Sequence, residues 1–207
     1  AILADSAPLG ALVMESPYGL RPHLIETMRT DGLNYMAPQY QSVTMGMILP
    51  ILRRYDNAGL DYYTEPVRKH FTSWYLWTDP DGNTPDLGDS TWTSYRSHTG
   101  LWLFEQGYAK YGDPSMVLPV QEHLYAAWQK SKLKWEDLPR PFNFPRSYDV
   151  LLYGVENIPR GKPDASWPSQ NFDDYGLLVF NQGQGDKRLW MALPYGKPAG
   201  HGHHDKL

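Results

Sequence analysis

The chain has 207 residues, with 19 Lys and Arg against 23 Asp and Glu, for a formal net charge of −4. That balance argues against a nucleic-acid binder with a counterion-releasing basic surface, and 41% apolar residues with 20% charged exclude a disordered or fibrous chain. There is no cysteine, which removes disulfide scaffolds, thiolate zinc sites and thiol catalysis together, and no apolar run approaches the roughly 20 residues that span a bilayer.

At the N-terminus no basic and apolar stretch leads to a small-residue cleavage site, so no signal peptide is visible. Ala1-Ile2-Leu3, without Met, reads as a cut end. Up to about Gly154 the apolar pattern is helical. Leu9, Leu12, Val13 and Met14 predict one short helix, and Leu20, Leu24, Ile25 and Met28 predict a second over residues 20–28. Val43, Met47, Ile48, Ile51 and Leu52 predict a third over residues 40–55, with a kink or early break at Pro50. Glu65-Pro66 opens a fourth through Val67, Phe71, Trp74, Tyr75 and Trp77, proline being well placed in a first turn. The run from Asp79 to Pro85 is a turn cluster. A fifth helix is expected over residues 97–111, with Leu101, Phe104 and Tyr108 in register. Asp113-Pro114 caps a sixth through Val117, Val120, Leu124 and Trp128.

After Tyr153 the pattern changes. Residues 158–163 read as a linker, and residues 175–180 and 188–193 read as strands joined by a hairpin loop at residues 181–186. The expected fold is α+β and multidomain. Residues 1–158 form part of a helical domain, 159–170 a linker, and 171–207 the start of an antiparallel β-sheet domain. Two or three strands are marginal by themselves, so the chain reads as an excerpt of a longer polypeptide.

Aromatic residues are dense, with 8 Trp, 15 Tyr and 6 Phe. They suit an aromatic-rich core or a cleft that stacks on sugar rings. Near the C-terminus, His201, His203, His204 and Asp205 lie within five residues among glycines. On a strand, His201 and His203 share a face. Such a pair can supply a base and a metal ligand side by side. His70 and His123 read as ordinary surface or half-buried histidines.

The segment from Ser169 to Gly176, followed by a strand pair, Tyr195-Gly196 and then Gly200-His201-Gly202-His203-His204-Asp205-Lys206-Leu207, resembles the junction region of the heparinase II/III-like polysaccharide lyases. That group includes alginate, oligoalginate and heparinoid lyases. Thr30-Asp31-Gly32-Leu33-Asn34-Tyr35 with Gln39-Tyr40-Gln41 resembles the group's toroid motif, with Gln41 where the motif has Asn or His. Leu87-Gly88-Asp89-Ser90 with Tyr95 is a third piece. The 54 residues from Gln41 to Tyr95 are comparable to the group's gap between its carboxylate-neutralising residue and its catalytic tyrosine.

The resemblance implies an incomplete (α/α) toroid followed by antiparallel sheet domains, and β-elimination of a uronate-containing glycan. It assigns Tyr95 as acid and base, His201 as its partner across the cleft, and Gln41 as the donor that neutralises the substrate carboxylate. Tyr35, Tyr40 and His98 are candidate substrate contacts. His203 would be one ligand of a structural zinc whose other ligands lie beyond Leu207. The expected partner is an acidic polysaccharide or oligosaccharide, with no nucleic acid and no membrane span, and a homo-oligomer left open. Location in the periplasm or outside the cell is also implied only by the resemblance. Two alternatives stay open. One is a non-catalytic carbohydrate-binding relative. The other is a glycoside hydrolase, for which Asp86, Asp89 and Glu105 are available without marking a pair.

Overall fold

A computed structural model of the chain describes residues 7–19, 21–22, 28–57, 59–88, 90, 98–118, 121, 167–183 and 187–196. Among these, four α-helices and one short 3₁₀ helix precede a three-stranded antiparallel sheet, so the fold is mixed α+β. The helices are α1 (Ala7–Glu15), α2 (Tyr40–Asn57), α3 (Glu65–Leu76) and α4 (His98–Tyr111), and the 3₁₀ turn is Pro114–Val117. The strands are β1 (Gln170–Phe172), β2 (Leu177–Gln182) and β3 (Leu189–Pro194), in the order β1-β2-β3.

The helices follow the apolar spacing. In α2, Gln41, Met45, Ile48, Leu49, Leu52 and Tyr55 form the buried stripe. Pro50 does not end the helix, which continues to Asn57. Buried side chains on both sides of the proline hold the two halves to one core, against the hydrogen bond that proline cannot make. Helix α3 starts after Thr64 in extended conformation, with Pro66 in its first turn, and buries Val67, Phe71 and Tyr75. At Asp113 the side chain accepts from Ser115 N at 2.9 Å and caps the 3₁₀ turn. Two readings change. Residues 21–22 are helical, but Met28 is paired with Asn34 in an isolated antiparallel bridge, so the helix expected over 20–28 does not extend to Met28. Helix α1 forms, yet only Met14 of its four apolar residues is buried, and Leu12 is 63% exposed.

The sheet registers Phe172 with Leu177 and Val179 with Ala192. Because successive side chains alternate between faces, Phe172, Leu177 and Val179 share one face and are buried. These three join Met28, Leu33, Leu49, Phe71, Trp77 and Phe104 in one hydrophobic core. Trp77 meets Phe172 and Tyr175 edge-on, with ring centroids 6.5 and 5.6 Å apart. The buried Arg188 adds a polar tie. Its guanidinium stacks 3.6 Å over the Trp167 ring, and its Nη2 donates to Thr78 O at 2.8 Å and to Asn181 Oδ1 at 2.6 Å. Among the described residues, no helix is long and apolar enough to cross a membrane.

Candidate functional site

Residues 28–39 form a loop that leads into α2, built around the tight turn Thr30-Asp31-Gly32. Arg29 N donates to Leu33 O at 2.7 Å, Gly32 N to Arg29 O at 2.9 Å, and Leu33 N to Asp31 Oδ1 at 3.2 Å. Helix α3 supports the turn from below. Lys69 Nζ donates to Thr30 O at 2.9 Å, Ser73 Oγ to Asp31 O at 2.5 Å, and His70 Nδ1 lies 2.8 Å from Gly32 O. That geometry assigns the proton of neutral His70 to Nδ1. Burial lowers the His70 pKa to about 4, with the Gly32 carbonyl pulling the other way. His70 is 1% exposed, more deeply buried than the sequence suggested.

The corner between β1 and β2 grips the same turn from the sheet side. Asp174 Oδ2 accepts from Thr30 N at 2.7 Å and from Thr30 Oγ1 at 3.0 Å, while Asp31 Oδ2 accepts from Tyr175 N at 2.8 Å. Each segment thus lends a carboxylate to the backbone of the other. Tyr175 Oη donates to Met36 O at 3.1 Å and extends the contact along the loop. The two carboxyls differ in environment. Burial raises the Asp31 pKa, opposed by the Tyr175 and Leu33 N–H groups and reinforced by the negative charges of Asp174 and Asp173. For Asp174 the Thr30 N–H is the largest influence and holds the pKa below its ordinary value.

Gln41, at the start of α2, is fully buried and ties the far end of the loop. Its Oε1 accepts from Asn34 N at 2.7 Å, and its Nε2 donates to Asn34 O at 2.9 Å and Met36 O at 3.2 Å. The Asn34 side chain closes its own turn, Oδ1 accepting from Met36 N at 2.9 Å. Ser90 Oγ accepts from Gln39 N at 2.8 Å. Residues 30–41, Ser90 and the 174–176 corner, far apart in sequence, are therefore one hydrogen-bonded unit.

Of the site residues expected from sequence, Gln41, Tyr35 and Tyr40 lie in this unit, and both tyrosines are half-buried. Tyr95, His201 and His203 lie outside the described residues. His98 is the first residue of α4, and its side chain lies outside them as well. Among the carboxylates considered for hydrolysis, Asp86 is exposed, Glu105 is buried and Asp89 lies outside the described residues. Sequence reasoning passed over Asp174, Ser90, His70 and Asn34. Three of them lay inside the quoted motif segments, but nothing in a linear motif says which carboxylate meets which backbone. Among the described residues, no three His, Asp or Glu side chains are grouped to hold a metal ion, so these residues supply no zinc set.

No family model matches the chain, and no curated protein or solved structure was found as a significant match.

Proposed function

We propose that the chain is part of a polysaccharide lyase that cleaves a uronate-containing glycan by β-elimination, on a helical toroid joined to antiparallel sheet domains. The observation supporting the reading is the convergence just described. The three segments that carry the sequence resemblance meet through Tyr175 N to Asp31, Thr30 N to Asp174 and Gln39 N to Ser90. A chance resemblance among separate segments gives no reason for them to meet.

In this reaction a base removes the C5 proton beside the carboxylate, and the electron pair forms the C4–C5 double bond as the C4 oxygen leaves with a proton from an acid. An ionised carboxylate makes that proton weakly acidic, so donors around the carboxylate must stabilise the developing charge. Tyr95 is the proposed acid and base, with His201 opposite it. Gln41 serves the site by fixing the backbone of residues 34–36, which its amide holds on both sides. A structural zinc on His203 has no part in these steps.

The test is absorbance. Incubation of the full-length protein with alginate, heparinoids, ulvan or hyaluronan should produce an unsaturated uronate that absorbs in the ultraviolet. Tyr95→Phe should lower that rate by at least about 10²-fold while the fold survives. Glycan binding without product would favour the non-catalytic reading, and a new reducing end without absorbance would favour a hydrolase.

A further inference from the structure

The outward face of the sheet is apolar and uncharged. Phe172, Leu177 and Val179 point into the core, so alternation turns Phe180 on β2 and Leu189, Met191 and Leu193 on β3 the other way, with Tyr195 in line beyond them. All five are exposed, Leu189 to 69% and Met191 to 51%. Phe180 stands opposite Met191 in the middle of the hairpin. Neither Leu177–Gln182 nor Leu189–Pro194 contains Lys, Arg, Asp or Glu, the charges with which exposed strands are ordinarily guarded. On the β1 side the patch has a polar border, where Tyr195 Oη donates to Asn171 Oδ1 at 2.6 Å. Charged residues flank its two ends. At the corner end Asp173 follows the inward Phe172, at the hairpin end Lys187 precedes the buried Arg188, and both are exposed. Asp186, next to Lys187, lies outside the described residues.

We infer that a second copy of the chain docks on this face, sheet against sheet, about a two-fold axis that crosses the strands at the Phe180–Met191 row. The docking holds whether or not the chain is a lyase. Leucine and methionine at the centre fit another apolar protein face, whereas a sugar ring calls for aromatic planes and an anionic membrane for Lys and Arg. Facing sheets pack about 10 Å apart with interdigitated side chains, and a two-fold interface uses the same patch on both copies. The flanking charges select the orientation. An axis across the strands reverses one copy end for end. Leu189 of each copy then meets Leu193 of the other, Met191 meets its own equivalent, and each Lys187 end lies over an Asp173 end. An axis along the strands would instead set Asp173 over Asp173 and Lys187 over Lys187, and like charges facing each other oppose association. A face of three short strands belongs with the smaller specific interfaces, about 1,200 Å² in total, so the dimer should form in the micromolar range.

The experiment is analytical ultracentrifugation of the full-length protein across the micromolar range. Wild type should pass from monomer to dimer as concentration rises. Met191→Lys, a change at an exposed position, places an unpaired charge at the centre of the contact and should weaken the dimer at least about tenfold. Lys187→Asp and Asp173→Lys should each weaken it, and the two together should restore it, because the swapped charges again face opposite partners. In wild-type protein with ¹³C-methyl methionine, the Met191 signal should shift with concentration while that of Met47, 69% exposed on α2, stays put. That measurement stands even if a variant fails to fold. A protein that is monomeric throughout overturns the inference, and a monomer whose Met191 methyl is shielded from a soluble paramagnetic agent overturns it in favour of a further segment of the same polypeptide. A dimer that Met191→Lys leaves intact overturns it in favour of another surface. A double charge swap that restores nothing overturns the end-for-end arrangement.

Discussion

At Gly32 the backbone has φ +85°, and a Cβ there would lie 2.6 Å from the carbonyl carbon and Cβ of Lys69. Gly59 has φ +80° with open space around it. Alanine at Gly59 should therefore cost only the left-handed penalty of about 1–2 kcal/mol. Gly32→Ala adds a collision with the backbone of α3 and should cost at least about 2 kcal/mol more, read as the difference between the two denaturation midpoints. Equal losses would mean that the turn does not sit on α3 as described. His70 beneath it gives a pH signature. Its folded pKa of about 4 lies below the ordinary value of 6.5, so the unfolded chain binds the extra proton between them. Stability is full above about pH 6.5 and falls as pH drops toward 4, by up to about 3 kcal/mol. His70→Gln, which keeps a donor for Gly32 O, should flatten that slope relative to wild type. Asp31 and Asp174 titrate in both proteins and cancel in the comparison. The Asp31-Gly32 pair stood out in the sequence only as part of a motif resemblance, and the turn it forms was not read there. Nor was the burial of His70, because a lone histidine in a helix carries no mark of the carbonyl it will meet.

At the scale of elements, spacing predicted well wherever one apolar stripe decides the outcome. Helices α2, α3 and α4 and the β2–β3 hairpin fall within a few residues of their expected bounds. The misreadings have physical causes. Strand β1 has three residues, too few for a period to show. The helix expected through Met28 stops short of it because Met28 pairs with Asn34 instead. Packing between elements was also hidden. Gly107 of α4 lies against Phe71 of α3, where an added Cβ would come within 2.6 Å of the ring. Gly107→Ala thus sets two effects in opposition. Helix propensity favours alanine by about 1 kcal/mol, while overpacking costs about 1–3 kcal/mol. Because Phe71 is itself 1% exposed and hemmed in, packing should win, and the variant should melt lower than wild type. A higher melting temperature would show that Phe71 can move aside.

For the whole molecule, the sequence suggested helices and sheet on either side of a linker at residues 159–170, and residues 159–166 lie outside the described residues. What joins the two parts is visible in the side chains. Phe172, Leu177 and Val179 enter the helical core, Arg188 reaches Thr78, and Asp174 and Asp31 exchange hydrogen bonds across the corner. None of this is a local pattern, so none of it could be read from spacing. It predicts how the chain unfolds. If the sheet depends on the helices for its buried face, residues 1–207 should melt in one transition, with helical circular dichroism and near-ultraviolet tryptophan signals coinciding. Asp174→Ala tests the coupling. The Arg29 guanidinium is 42% exposed and adds little, so the loss comes chiefly from the Thr30 N–H and hydroxyl, which forfeit an ionised acceptor. That loss is about 1–3 kcal/mol and should lower both signals together. A sheet that stands alone would instead give two transitions, with the mutation shifting one and leaving the helical signal where it was.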